Sequence, residues 1–125
     1  MKPVNQTRLG DCADGGNCFP ACVASLFELP IEEVPDILPG SENWDLQWQA
    51  WLDKYALTFI EAKWPQPDGY TIGILSVGTE EEPKFHAVVC FAGEIVHDPD
   101  PFADTSKYPT EFPHIILVCT NPVRR

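Results

Sequence analysis

Gly16-Asn17-Cys18-Phe19-Pro20-Ala21-Cys22-Val23-Ala24-Ser25-Leu26 carries a glycine-rich lead-in over into a helix. Residues 1–17 are polar and aperiodic, whereas Phe19, Cys22, Val23, Leu26 and Phe27 recur at helical spacing. That spacing predicts a helix from about Cys18 to Glu28 with one buried face. Asn17 suits the N-cap, and Pro20 falls in the first turn, where its missing amide proton costs no intrahelical bond. Cys18 then opens the helix. The unpaired amides and positive dipole end of a helix stabilise a thiolate, so Cys18 has the environment of a nucleophile. The helix is expected to be a core element whose first residue reaches the surface of a cleft.

Working outward, Leu29-Pro30-Ile31-Glu32-Glu33-Val34-Pro35 reads as a stop, a proline-started turn and another stop. A second helix is expected from about Trp44 to Tyr55, with Trp44, Trp48, Trp51, Leu52 and Tyr55 on one stripe that packs a small core. After Tyr55 the period changes. Leu57 to Ala62, Tyr70 to Val77, Phe85 to Phe91, Glu94 to His97 and His114 to Cys119 are short runs of β-branched and aromatic residues separated by Pro, Gly and Asp. Ala92-Gly93 predicts a tight hairpin, which makes the strands on either side of it antiparallel neighbours. Asp98 to Pro113, with its several prolines, is expected to be a long surface loop. Helices first and strands afterward give an α+β fold, with N-terminal helices packed on one face of an antiparallel β-sheet, in a single domain over 1–125.

The chain has 125 residues, of which 44% are hydrophobic, enough for one modest core. A formal charge of -11 with scattered Lys and Arg argues against nucleic-acid backbone binding, which needs clustered cations, and weakly favours a basic partner. The apolar runs are too short to span a bilayer and the start lacks a signal-peptide core, so the expected location is the cytoplasm, away from the membrane. Five cysteines are an odd number, and with no export signal they read as ordinary thiols rather than a disulfide framework. Cys12, Cys18, Cys22 and the histidines contain no Cys-x-x-Cys pair, so neither a metal nor a cofactor is expected. Cys90 and Cys119 sit in strand-like runs as small buried hydrophobes.

Two phrases in the strand half supply what Cys18 lacks. Phe85-His86-Ala87-Val88-Val89 puts a histidine at the beginning of an apolar strand, and Ile95-Val96-His97-Asp98-Pro99 puts an aspartate at the end of its partner. A histidine can take the thiol proton and later give it to a leaving group. A carboxylate on its other ring nitrogen fixes the tautomer and steadies the imidazolium. Alternation sends His97 and Asp98 to opposite faces, and Asp98 is the choice for the cleft, with His97 in reserve. His114, beside Ile115-Ile116-Leu117-Val118, reads as structural, and Cys22 as core packing.

Together Cys18-Phe19-Pro20-Ala21-Cys22, His86-Ala87-Val88-Val89 and Val96-His97-Asp98-Pro99 resemble, in that order, the papain-like cysteine peptidases that process bacteriocin leaders, and also small papain-like proteins of bacteria and phages. The tryptophan helix and the segment after Asp98 have no counterpart in the resemblance. It implies a papain-like fold, with Cys18 as nucleophile, His86 as general base and acid, Asp98 as orienting carboxylate and Gln6 as oxyanion-hole donor. Gln6 lies farther from Cys18 than the family spacing, and that spacing would instead nominate Cys12. Cys12, however, is followed by Ala13-Asp14-Gly15-Gly16, which cannot open a helix. The implied activity is cysteine-dependent hydrolysis of a peptide or isopeptide bond in a peptide or protein substrate. Acyl transfer or deamidation by the same triad, a catalytically silent peptide-binding module and a zinc-stabilised interaction domain are the alternatives.

Overall fold

The computed structural model describes residues 1–8, 16–37, 41–62, 68–103 and 105–119, apart from the side chains of Lys107 and Cys119. Two helices, α1 (Cys18–Phe27) and α2 (Trp44–Asp53), precede five strands: β1 (Leu57–Ala62), β2 (Tyr70–Ser76), β3 (Phe85–Phe91), β4 (Glu94–His97) and β5 (His114–Cys119). One-turn 3-10 helices lie at Ile31–Glu33 and Thr105–Lys107. Each regular element falls within two residues of the range its pattern predicts. The architecture is α+β, with all strand pairs antiparallel in the order β1-β5-β2-β3-β4.

The hairpin at Ala92-Gly93 forms as expected. Both residues have positive φ, 52° and 86°, the combination a two-residue turn needs to follow the twist of its strands. Along the pair, Val89 faces His97 and Cys90 faces Ile95, so Val96 is an extra residue that bulges the edge strand. Beyond the bulge, His97 and Asp98 diverge. His97 Nε2 bonds to the carbonyl of Val4 at 2.8 Å, and Asp98 turns to His86.

The sheet carries apolar packing on both faces. Ala87 and Val89 join Cys18, Phe19, Cys22, Val23, Trp48 and Ile72 in the larger cluster. Phe19 meets Trp48 and Phe59 edge-on, with ring centroids 5.4 and 5.6 Å away. Trp48 and Leu52 are buried, Trp51 meets Tyr55 edge-on and Phe27 at a tilt, and Trp44 stands at the rim. The tryptophan stripe therefore packs largely as expected. On the other face, Leu75, Val88 and Cys90 pack with Val77, Tyr108 and Phe112. The segment after Asp98, expected to be a surface loop, supplies this second layer through Tyr108 and Phe112.

Two expectations about α1 are corrected. Every residue from Cys18 to Ser25 is buried, not one face alone, because the N-terminal segment closes the side that the sheet leaves open. Ser25 anchors that segment. Its hydroxyl accepts the Val4 N–H at 2.9 Å and donates to Ala21 O, while its carbonyl takes the Lys2 N–H. Nor does the Asn17 side chain cap the helix. Its Oδ1 accepts the N–H groups of both Thr7 and Arg8 at 2.9 Å, and its Nδ2 donates to Thr7 Oγ1. Two orphan amides of the incoming chain compete for the same oxygen and win it.

Candidate active site

His86 and Asp98 meet. His86 is the second residue of β3 and Asp98 directly follows β4, so pairing of the two strands brings their ends together. His86 Nε2 lies 2.7 Å from Asp98 Oδ1, and both side chains are largely buried. Oδ1 also accepts the Asp100 N–H at 2.9 Å, and Oδ2 accepts the Tyr108 hydroxyl at 2.5 Å. Burial alone would raise the Asp98 pKa, but the hydrogen bonds from His86, Tyr108 and Asp100 outweigh it and hold the carboxyl below its ordinary value. Asp98 is the only hydrogen-bond partner of the His86 ring among the described residues. A carboxylate only accepts, so Nε2 carries the proton of this bond, and in the neutral ring the lone pair is on Nδ1.

Gln6 lies between this pair and the start of α1. Its backbone N–H donates to Pro99 O at 2.8 Å, immediately beyond Asp98. The next two residues, Thr7 and Arg8, are held by Asn17, immediately before Cys18. Hydrogen bonds therefore tie the N-terminal segment both to Asn17, before the helix start, and to Pro99, the residue after Asp98. Gln6 is buried, and its side-chain amide donates to Arg8 O at 2.9 Å. Asp98 is also near enough to Cys22, one turn into α1, to add to the effect of burial in raising that thiol's pKa.

Cys18 is where it was expected in the chain but not in the expected state. It opens α1, yet it is fully buried and disulfide-bonded. The cleft-surface position and the reading of its sulfur as an ordinary thiol are both corrected. Tight packing of Cys18 among Phe19, Cys22, Ala87 and Val89 is the physical reason for its burial. Cys22 and Cys90 carry free, buried thiols. Burial pushes both upward, Cys90 to about 11 despite the opposing hydrogen bonds from the Gly73 backbone and Thr71. Neither has the thiolate character of a nucleophile. Cys12, the rival nucleophile, lies outside the described residues.

His114 is buried in β5 opposite Gly73, with Nδ1 2.7 Å from Thr71 Oγ1. No group of three or more His, Cys, Asp or Glu side chains converges as a metal site among the described residues. Nor is any helix among them long and apolar enough to cross a membrane. Sequence reasoning missed Tyr108 and Asp100. Both follow Asp98 in a proline-rich segment without periodicity, and the one available signal was a hydroxyl-bearing aromatic in an otherwise small and polar run.

No family model, curated protein or solved structure matches this chain.

Proposed function

We propose that the protein is a cysteine-dependent hydrolase of amide bonds with a papain-like arrangement, active when Cys18 is reduced. The hydrogen bond between His86 Nε2 and Asp98 Oδ1 carries this reading, because it is the contact that orients a histidine as a base. The N-terminal segment supports it too, being bonded at one end to Asn17, next to Cys18, and at Gln6 to Pro99, next to Asp98.

A dithiol reductant first exchanges with the Cys18 disulfide, freeing the thiol and becoming a disulfide itself. His86 Nδ1 takes the thiol proton, and the thiolate attacks the substrate carbonyl to form a tetrahedral oxyanion. Collapse expels the amine, which receives the proton from His86, and leaves a thioester. Water, deprotonated by His86, then cleaves the thioester and restores the thiol. The backbone amide of Cys18 and the side-chain amide of Gln6 are the oxyanion donors, the latter after turning away from Arg8 O. The substrate is a peptide or protein, and the -11 charge favours a basic one. A reducing cytoplasm is consistent with a catalytic or redox-sensing disulfide.

The burial and covalent state of Cys18 favour a second reading, a catalytically silent module that keeps the same architecture and binds a peptide. Iodoacetamide labelling of protein treated with dithiothreitol separates the two. The hydrolase reading expects rapid alkylation that disappears in Cys18→Ala and slows in His86→Ala, together with turnover of a general peptide substrate. Rapid labelling that survives Cys18→Ala overturns the assignment of the nucleophile, and a Cys18 no more reactive than Cys22 favours the silent module.

A further inference from the structure

We propose that Tyr108 is a positioning residue for the His86–Asp98 pair, fixing the carboxylate so that His86 keeps its proton on Nε2 and its lone pair on Nδ1. The inference rests on reading that pair as the base of a thiol hydrolase.

Three donors from three places in the chain converge on one carboxylate: His86 Nε2 from β3, the Asp100 N–H two residues on, and the Tyr108 hydroxyl. The first two share Oδ1, and Tyr108 alone among the described residues holds Oδ2. A carboxylate gripped through a single oxygen remains free to turn about its Cβ–Cγ bond. One gripped through both is locked, and so is the acceptor that selects the histidine tautomer. Tyr108 is itself firmly seated. Its N–H bonds to Thr105 O at 3.1 Å, completing the turn at Thr105–Lys107, and its ring packs against the Leu75, Val88 and Cys90 layer. The same ring lies over His86, with centroids 5.9 Å apart and planes tilted by 38°. Packing alone would be served by phenylalanine, so the hydroxyl on Oδ2 is what singles the residue out.

The test compares Tyr108→Phe, which keeps the ring, with Tyr108→Leu, which removes both features, in the full reduced chain. Three quantities are read: the His86 tautomer by 15N NMR, the Asp98 carboxyl titration by 13C NMR, and the iodoacetamide rate at Cys18. In Tyr108→Phe the Nδ1–H tautomer should appear beside the Nε2–H form, and Asp98 should titrate at higher pH. Alkylation should slow about tenfold, the scale of one hydrogen bond to a charged group, while the fold is retained. If Tyr108→Phe leaves the tautomer and the Asp98 titration unchanged and only Tyr108→Leu alters them, Tyr108 is a packing residue and the proposal fails. If reduced Cys18 alkylates no faster than Cys22 in the unmutated protein, the hydrolase reading fails instead. The two NMR measurements still decide the role of Tyr108.

Discussion

Gln6 donates its backbone N–H to the carbonyl of Pro99 at 2.8 Å, and this bond fixes the N-terminal segment against the residue that follows Asp98. The segment is fastened at its other end by Asn17, next to Cys18. The first eight residues are therefore a structural strap between the helix that carries the cysteine and the hairpin that carries the histidine and aspartate.

Asn17→Ala should loosen that strap. The substitution strands the Thr7 and Arg8 amides and the Thr7 hydroxyl, all partners of a residue that is 4% exposed. A loss of about 2–3 kcal/mol is expected from two or three such bonds, read by urea unfolding. Hydrogen exchange at Thr7 and Arg8 should speed up more than at the centre of β3. A stability within error of the unmutated protein would show that water replaces the side chain at no cost.

Gly73→Ala should destabilise through overpacking. A Cβ at this position would lie 2.6 Å from Phe112 Cε2 and 3.0 Å from Cys90 Sγ, and such insertions cost about 1–3 kcal/mol. Adding Phe112→Leu should recover part of the loss, since it removes the nearer atom. Additive effects in the double mutant would locate the strain elsewhere.

Ala92→Asn should stabilise the β3–β4 hairpin. Ala92 sits at φ 52°, a left-handed conformation that costs an L-residue about 1–2 kcal/mol and that asparagine tolerates better. An Asn-Gly turn matches the geometry already present. The expected gain is about 0.5–1 kcal/mol in urea midpoint analysis, and a lower midpoint would contradict the turn geometry.

Stability should fall in two stages on acidification. His114 is buried, which holds its pKa below the ordinary 6.5. The unfolded chain therefore binds the proton first, and stability declines as pH drops below about 6.5. Asp98 is held below the ordinary 3.8 because the hydrogen bonds from His86, Tyr108 and Asp100 overcome the effect of burial. Its contribution is complete above 3.8 and is lost as pH falls through the lower folded value. Urea unfolding from pH 7.5 downward should show both declines. Asp98→Asn should flatten the second and spare the first, and a single decline in the unmutated protein would remove one of the two assignments.

The sequence alone was enough to place each helix and strand, the Ala92-Gly93 turn and the meeting of His86 with Asp98, because each follows from local information. Helical and strand periods show which residues share a face. A two-residue turn fixes which strands are neighbours, and alternation separates His97 from Asp98. Tertiary structure alone inserted β5 between β1 and β2, buried α1 on every side and drew Asn17 away from capping. It also brought Tyr108 onto Asp98 and enclosed Cys18 in a disulfide-bonded, solvent-free position. These outcomes depend on which distant groups compete for the same surface or acceptor atom, and a residue's own neighbours in sequence carry no record of that competition.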